Sequence, residues 1–267
     1  MRVAMIQMDM QLGKPEANFE KAEKLVRMAA ELKPDVITLP ETWNTGFFPR
    51  ENLKEASDVD LEQTKKLFSR LTKEYRVNII AGSVANCRDE KIYNTASVFN
   101  RDGEVVMEYD KVHLFSPSGE HEYFEHGKNI CNFELDGIPC SLVICYDIRF
   151  PELIRSEMLA GSKVQFVVAQ WPDTRRPPYP NCRPKQYSPR ARAIESQSFL
   201  CCTNSVGTAG NTKCGGHSAV YGPMGECLVL GGEAEQILMA DMEIGAVDGV
   251  RDSINVYRDR LPEVYKI

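Results

Sequence analysis

The sequence predicts an α/β fold in which a mixed sheet, open to division into two sheets stacked face to face, is covered by helices. Three features predict it: helical and strand periodicities alternate through the first third, two turn-linked hairpins interrupt that alternation, and later strands feed directly into helices. At 267 residues the chain is long enough to bury a full core as one domain over 1–267.

Residues 3–8 read as a buried strand. Gly13-Lys14-Pro15 breaks it, and Phe19, Ala22, Leu25, Val26 and Ala29 then share one helical face. A short apolar run, Val36 to Leu39, ends at Pro40. Thr64, Leu67, Phe68, Leu71 and Tyr75 mark a second amphipathic helix, and Val77 to Ala81 a third strand, so the chain opens β-α-β-α-β. Ile92 to Phe99 and Val105 to Tyr109 pair across Asn100-Arg101-Asp102-Gly103, where Asp-Gly is expected to supply the positive φ values of a tight turn. Ser141 to Ile144 is a strand running through Cys145 into a helix from Pro151, and Val164 to Ala169 is another strand. Ser218 to Tyr221 and Cys227 to Leu230 flank Gly222-Pro223-Met224-Gly225, a second hairpin signal. Pro172 to Pro189 contains Pro172, Pro177, Pro178, Pro180, Pro184 and Pro189, and is expected to be a long ordered loop because proline forbids a continuous helix.

Composition narrows the function. The formal charge is −6 with cations scattered among acids, which argues against a nucleic-acid partner and for a small one. No apolar run reaches the roughly 20 residues needed to span a bilayer, and Met1 to Gln7 turns polar too soon for a signal peptide, so a cytoplasmic protein is expected. Nine cysteines, an odd number at irregular spacing, read as reduced thiols without a Cys-x-x-Cys redox pair. His121 and His126 are five apart instead of the four that would place both on one helical face, and no cysteine pair has zinc-finger spacing, so no metal is expected. Gly207, Gly210, Gly215 and Gly216 match neither nucleotide-binding glycine pattern and read as turn chemistry.

Glu41, Lys111 and Cys145 each lie just past the carboxyl end of a predicted strand, where open α/β sheets place their sites. Taken singly they read as a loop acid, a surface lysine and a buried thiol. Together they supply a base, a cation and a nucleophile. A strand-to-helix turn aims backbone amides and a helix dipole at the thiol, and a nearby ammonium is expected to lower its pKa further. A carboxylate beside it can take the thiol proton and pass it to a leaving amine, while Lys111 and the Tyr146 amide face the oxyanion.

At these residues the chain resembles the nitrilase superfamily of carbon–nitrogen hydrolases. The resemblance is carried by Leu39-Pro40-Glu41-Thr42-Trp43, by Tyr109-Asp110-Lys111-Val112-His113-Leu114-Phe115 and by Ile144-Cys145-Tyr146-Asp147-Ile148-Arg149-Phe150-Pro151-Glu152-Leu153, in that order, and it extends from Val3 to about Asp241. Ala169-Gln170-Trp171-Pro172, Arg190 to Glu195 and Asn204-Ser205-Val206-Gly207 are similar to segments of its small-amidase branch. The resemblance implies an α-β-β-α sandwich, a Glu-Lys-Cys triad, no cofactor and a homodimer built through helix faces. It also implies a second carboxylate after the lysine, for which Glu120 in Ser116-Pro117-Ser118-Gly119-Glu120-His121 is the best match, with Glu122 and Glu125 as competitors. The sequence departs from the pattern at the longer proline-rich tract, at Ser205 and at Met224.

The leading expectation is hydrolysis of a small linear amide, most similar to an omega-amidase acting on the amide of a 2-oxo-dicarboxylic acid. Trp43, Tyr146 and Trp171 are candidates for substrate contact, and Arg175 or Arg176 for binding a distal carboxylate, against a plain reading of both as loop solubility. A nitrilase or an N-carbamoyl amide hydrolase with the same triad is the enzymatic alternative. A catalytically silent interaction protein on the same scaffold is the alternative of another class.

Overall fold

The computed structural model describes residues 1–47, 49–173, 184–210 and 212–265, leaving aside the side chains of 184–187. Its first sheet is built from β1 (Arg2–Gln7), β2 (Val36–Thr38), β3 (Asp58–Val59), β4 (Asn78–Arg88), β5 (Lys91–Phe99) and β6 (Val105–Asp110), closed by a late strand near the C-terminus. Three helices accompany these strands: α1 (Pro15–Ala30), α2 (Leu53–Ala56) and α3 (Glu62–Tyr75). The second sheet takes β7 (Asn132–Leu135), β8 (Ile138–Ile144), β9 (Val164–Ala169), β10 (Phe199–Asn204), β13 (Ala219–Tyr221) and β14 (Cys227–Leu230). Between these strands lie α4 (Pro151–Leu159), α5 (Pro184–Ser196) and the small hairpin β11 (Thr208–Ala209) and β12 (Thr212–Lys213). The late strand β15 (Gln236–Asp241) and then α6 (Gly245–Ser253) complete the order.

Sheet one runs β15-β1-β2-β4-β5-β6 and sheet two β14-β13-β10-β9-β8-β7. β1, β2 and β4 pair in parallel, as do β8, β9 and β10, so each sheet has a central block whose carboxyl ends share one edge. Two antiparallel steps from β4 bring β6 back to that edge.

Period-two alternation divides the strands between two interiors. On β1, Val3 and Met5 join the core between the sheets, while Ala4 and Ile6 pack outward with Leu25, Val26 and Phe68 of α1 and α3. On β8, Leu142 and Ile144 face inward and Val143 faces Leu153 and Ile154 of α4. Both sheets are thus covered on both faces, which explains why β1, β2 and β9 read as continuous apolar runs rather than clean alternation. The resulting layers are helix, sheet, sheet, helix, the expected sandwich.

Three details differ from expectation. In the loop joining β5 to β6 only Gly103 has positive φ, +82°; Asp102 does not, and the Gly103 amide donates to the Asn100 carbonyl at 3.0 Å. The proline-rich tract is not loop throughout, since α5 begins at Pro184, in the first turn where a missing N–H is tolerated, and carries Pro189 within it. Finally β7, β10 and β15, none of them expected, complete the two sheets.

Candidate active site

Glu41 follows β2, Lys111 follows β6, Cys145 follows β8 and Gln170 follows β9, so the common edge of the two sheets gathers side chains far apart in sequence. Gly82 fixes part of this: a Cβ there would lie 2.1 Å from the Pro40 carbonyl oxygen, so only glycine lets β4 approach the segment carrying Glu41. Glu41 and Lys111 are each 1% exposed, Glu120 3% and Cys145 8%.

Lys111 Nζ donates to Glu41 Oε1 at 2.8 Å and to both oxygens of Glu120, at 3.0 and 2.8 Å. The second oxygen of Glu41 accepts from the Gln170 amide at 2.8 Å. Asn94 Nδ2, on β5, bridges the two carboxylates, 3.0 Å from Glu41 Oε1 and 3.1 Å from Glu120 Oε1. The Phe115 amide donates to Glu120 Oε2 at 2.6 Å, which fixes the loop after Lys111 against the same group. Glu122 and Glu125 are exposed and make no contact with Lys111 in this arrangement.

Cys145 opens a short 3-10 turn, Cys145–Arg149, with φ of +50°. A non-glycine residue in that region costs of order 1–3 kcal/mol and persists where the surroundings impose it. The thiol does not have the depressed pKa expected from a dipole and an ammonium. Burial pushes it well above the ordinary cysteine value, the Glu41 charge raises it further, and Lys111 opposes the rise without overcoming it. Desolvation outweighs the neighbouring cation, and no local sequence pattern reveals it. Lys111 shows the converse: burial pulls its pKa down, but the charges of Glu41 and Glu120 hold it well above the ordinary lysine value. The buried thiol therefore rests protonated, beside the Glu41 and Glu120 carboxylates and the Lys111 ammonium that joins them.

These groups open into a cavity of about 190 Å³ lined also by Phe47, Phe115, Tyr146, Ile148, Arg149, Gln170 and Trp171. Phe47, Ser118 and Thr212 are shared with a wider outer depression. Tyr146 packs edge-on to Phe115 and Phe150, and the Trp171 amide donates to Asn204 Oδ1 at 2.8 Å, which sets that wall. Trp43 does not reach the cavity. It is fully buried in the outer core between Phe19 and Phe68, with its indole N–H on the Ala81 carbonyl at 2.6 Å, because the turn after Glu41 carries it back beneath sheet one. Arg175 and Arg176 lie outside the described residues. Asn94, Gln170 and Arg149 were not singled out from sequence: an asparagine within a strand reads as an ordinary polar position, whereas Gln170 and Arg149 lay inside quoted motifs and carried no separate signal. Among the described residues no group of three His, Cys, Asp or Glu side chains is arranged to hold a metal ion.

A thiol, carboxylates and an ammonium at the joined edges of a four-layer sandwich form a constellation suited to nucleophilic acyl transfer. The chain belongs to the carbon-nitrogen hydrolase family, whose model matches residues 2–252. It is 37% identical over 268 residues to the "hydrolase in agr operon" of Staphylococcus aureus, covering 100% of both chains. It is 36% identical to the 2-oxoglutaramate amidase of Bacillus subtilis, covering 98% of both. Among solved structures, a CN-hydrolase superfamily protein of Xanthomonas campestris superposes with a TM-score of 0.87 at 27% identity, over 97% of each chain.

Proposed function

We propose that the chain, acting as one hydrolase domain, cleaves a small linear amide to a carboxylic acid and ammonia through a thioester on Cys145. The observation that carries this is the buried cluster in which Lys111 is held by Glu41 and Glu120 beside a strained Cys145 turn. Glu41 takes the thiol proton as sulfur attacks the amide carbon. Lys111 and the Tyr146 amide hold the oxyanion, a contribution of about 3–4 kcal/mol for one well-aimed donor. Glu41 returns the proton to the leaving nitrogen, ammonia departs, and a water deprotonated by Glu41 then adds to the thioester. Collapse releases the acid and restores the thiol. Glu120 keeps Lys111 charged and aimed.

The substrate is read as an ω-amide bearing a distal carboxylate, as the name of the Bacillus subtilis relative states for that protein. The anchor is read here as Arg149. It is exposed, lines the cavity with Cys145, and among the described residues has no hydrogen-bond or ion-pair partner. An unpaired guanidinium at the mouth of a small, largely apolar pocket is suited to bidentate capture of a carboxylate. Ammonia release from 2-oxoglutaramate and from a neutral amide of equal length, with nitrile and carbamoyl compounds alongside, tests both statements. Cys145→Ala is expected to abolish turnover. Arg149→Met is expected to lower kcat/KM by about 10- to 100-fold on the acidic amide and far less on the neutral one. Equal losses on the two amides remove Arg149 as anchor, and preference for nitriles or carbamoyl compounds moves the enzyme to another branch.

We also place the protein in the cytoplasm, as a homodimer. Every described cysteine is a free thiol, which fits a reducing compartment. No described helix is long and apolar enough to cross a membrane. Ile194 of α5 and the Met224 turn are exposed apolar neighbours, and they support association through that face. Light scattering on the purified chain tests the dimer.

A further inference from the structure

Behind Lys111 and Cys145 lies a second polar cluster that none of the hydrolytic steps uses. Asp147 is fully buried and accepts four hydrogen bonds. Its Oδ2 takes the Tyr109 hydroxyl at 2.8 Å and the Ile144 amide at 3.1 Å. Its Oδ1 takes the His113 amide and the ring Nδ1, both at 2.8 Å. A carboxylate that can only accept assigns the imidazole proton to Nδ1. The ring itself stacks on Phe150, with centroids 3.5 Å apart and planes within 7°.

The positions of these donors along the chain carry the argument. Tyr109 and His113 stand on either side of Lys111, and Ile144 and Asp147 on either side of Cys145. One carboxylate therefore grips both flanks of the lysine and both flanks of the nucleophile turn. Because β6 belongs to sheet one and the turn leaves β8 of sheet two, the grip crosses the seam between the sheets. It acts on the residue whose backbone is strained, Cys145 at φ +50°.

The geometry points to Asp147, acting through Tyr109 and His113, as a positioning residue that sets the separation of the Lys111 ammonium from the Cys145 turn. This rests on the reading of Lys111 as oxyanion partner and Cys145 as nucleophile. Lys111 gains most as charge develops on the carbonyl oxygen, so a small misplacement weakens the transition state more than the bound amide. The loss then falls on kcat and spares KM. A cluster that only stabilised the core would instead lower the melting temperature and leave the turnover of the folded enzyme unchanged.

Three variants separate these outcomes on the full-length protein. Tyr109→Phe removes one buried hydroxyl. His113→Phe keeps a ring against Phe150 and removes the Nδ1 hydrogen, whereas His113→Asn gives up the ring and keeps a side-chain N–H within reach of Asp147. With kcat and KM measured for ammonia release from 2-oxoglutaramate and melting followed in parallel, Tyr109→Phe and His113→Phe are expected to lower kcat about tenfold or more with KM within about twofold. His113→Asn is expected to recover most of that loss. Wild-type kcat in Tyr109→Phe and His113→Phe overturns the inference, and so does a His113→Phe more active than His113→Asn, which would assign the role to the stack. Cys145→Ala is assayed beside them: if it is inactive while the positioning variants are unaffected, only the inference falls, and if it turns over, the underlying reading of the nucleophile falls first.

Discussion

Glu157 is a carboxyl group sealed inside the protein with nothing to neutralise it, and its removal should make the fold more stable at neutral pH. It lies on α4, is 0% exposed, and neither oxygen has a hydrogen-bond partner. Burial holds its pKa well above the ordinary carboxylate value; Ser141 and the Cys131 amide lie near enough to oppose the rise without reaching hydrogen-bond geometry, and the Asp147 charge adds to it. The folded chain therefore keeps a proton that the unfolded chain gives up near pH 4.5. The sign follows: this contribution is complete below that pH and drains away as pH rises, by about 1.4 kcal/mol per pH unit, until the buried group itself ionises. Glu157→Leu, similar in size and without a proton to lose, lacks the slope. Its advantage over wild type should widen by up to about 2.7 kcal/mol between pH 5.5 and pH 7.5. Urea unfolding of both proteins at the two pH values measures this directly, and Glu157→Gln separates the loss of charge from the change in packing. A constant offset between wild type and Glu157→Leu at both pH values would refute the reasoning.

Glu41→Gln should stop amide turnover yet speed alkylation of Cys145 by iodoacetamide at pH 8, because after burial the Glu41 charge is what most raises the thiol pKa; slower alkylation would mean that Glu41 activates the thiol even in the empty site. Lys111→Met leaves Glu41 and Glu120 buried without their shared cation, and should cost about 3–5 kcal/mol in unfolding free energy. Adding Glu120→Gln to that variant should recover part of the loss, and failure to do so would show that the cost lies in packing. Gly82→Ala should cost about 1–3 kcal/mol and lower kcat as well, since its Cβ would displace the Pro40 carbonyl next to Glu41; a variant with wild-type melting and kcat would show that β4 yields instead.

How much of this was legible in the sequence depended on whether a residue's role followed from its place on a strand. Glu41, Lys111 and Cys145 were readable because strand ends can be recognised by period and by the prolines and polar residues that follow them. Glu120 became readable only through the family resemblance of the Ser116 to His121 loop that follows Lys111. Asn94 lies within β5, and nothing in a linear pattern shows that the strand's reversed direction brings it back to the β6 end beside Lys111. Trp43 was misplaced by the opposite error: nearness to Glu41 in sequence suggested nearness in space, but the turn rotates the indole into the outer core. The raised thiol pKa was missed because burial depends on the whole surroundings, whereas a helix dipole and a neighbouring cation can be inferred locally. β10 and β15 are short apolar segments without flanking turn signals strong enough to set them apart, and only the pairing of β15 with β1 and of β10 with β9 gives them their identity.

The proposed catalytic cluster draws Glu41 and Lys111 from sheet one and Cys145 and Gln170 from sheet two, and the bond from the Gln170 amide to Glu41 joins residues 129 apart in sequence. Neither sheet holds a working fraction of the site. Folding must close these long loops before any turnover exists, and contacts so distant in sequence form slowly. Recovery of activity during refolding is therefore expected to report the docking of one sheet upon the other, since the site exists only once both are in place. The same dependence ties the site to the protein's interior: Ile80 and Phe166 belong to the apolar layer between the sheets that also holds Cys145, so a change of volume at either is expected to shift the thiol relative to the ammonium and to be felt in turnover as well as in stability.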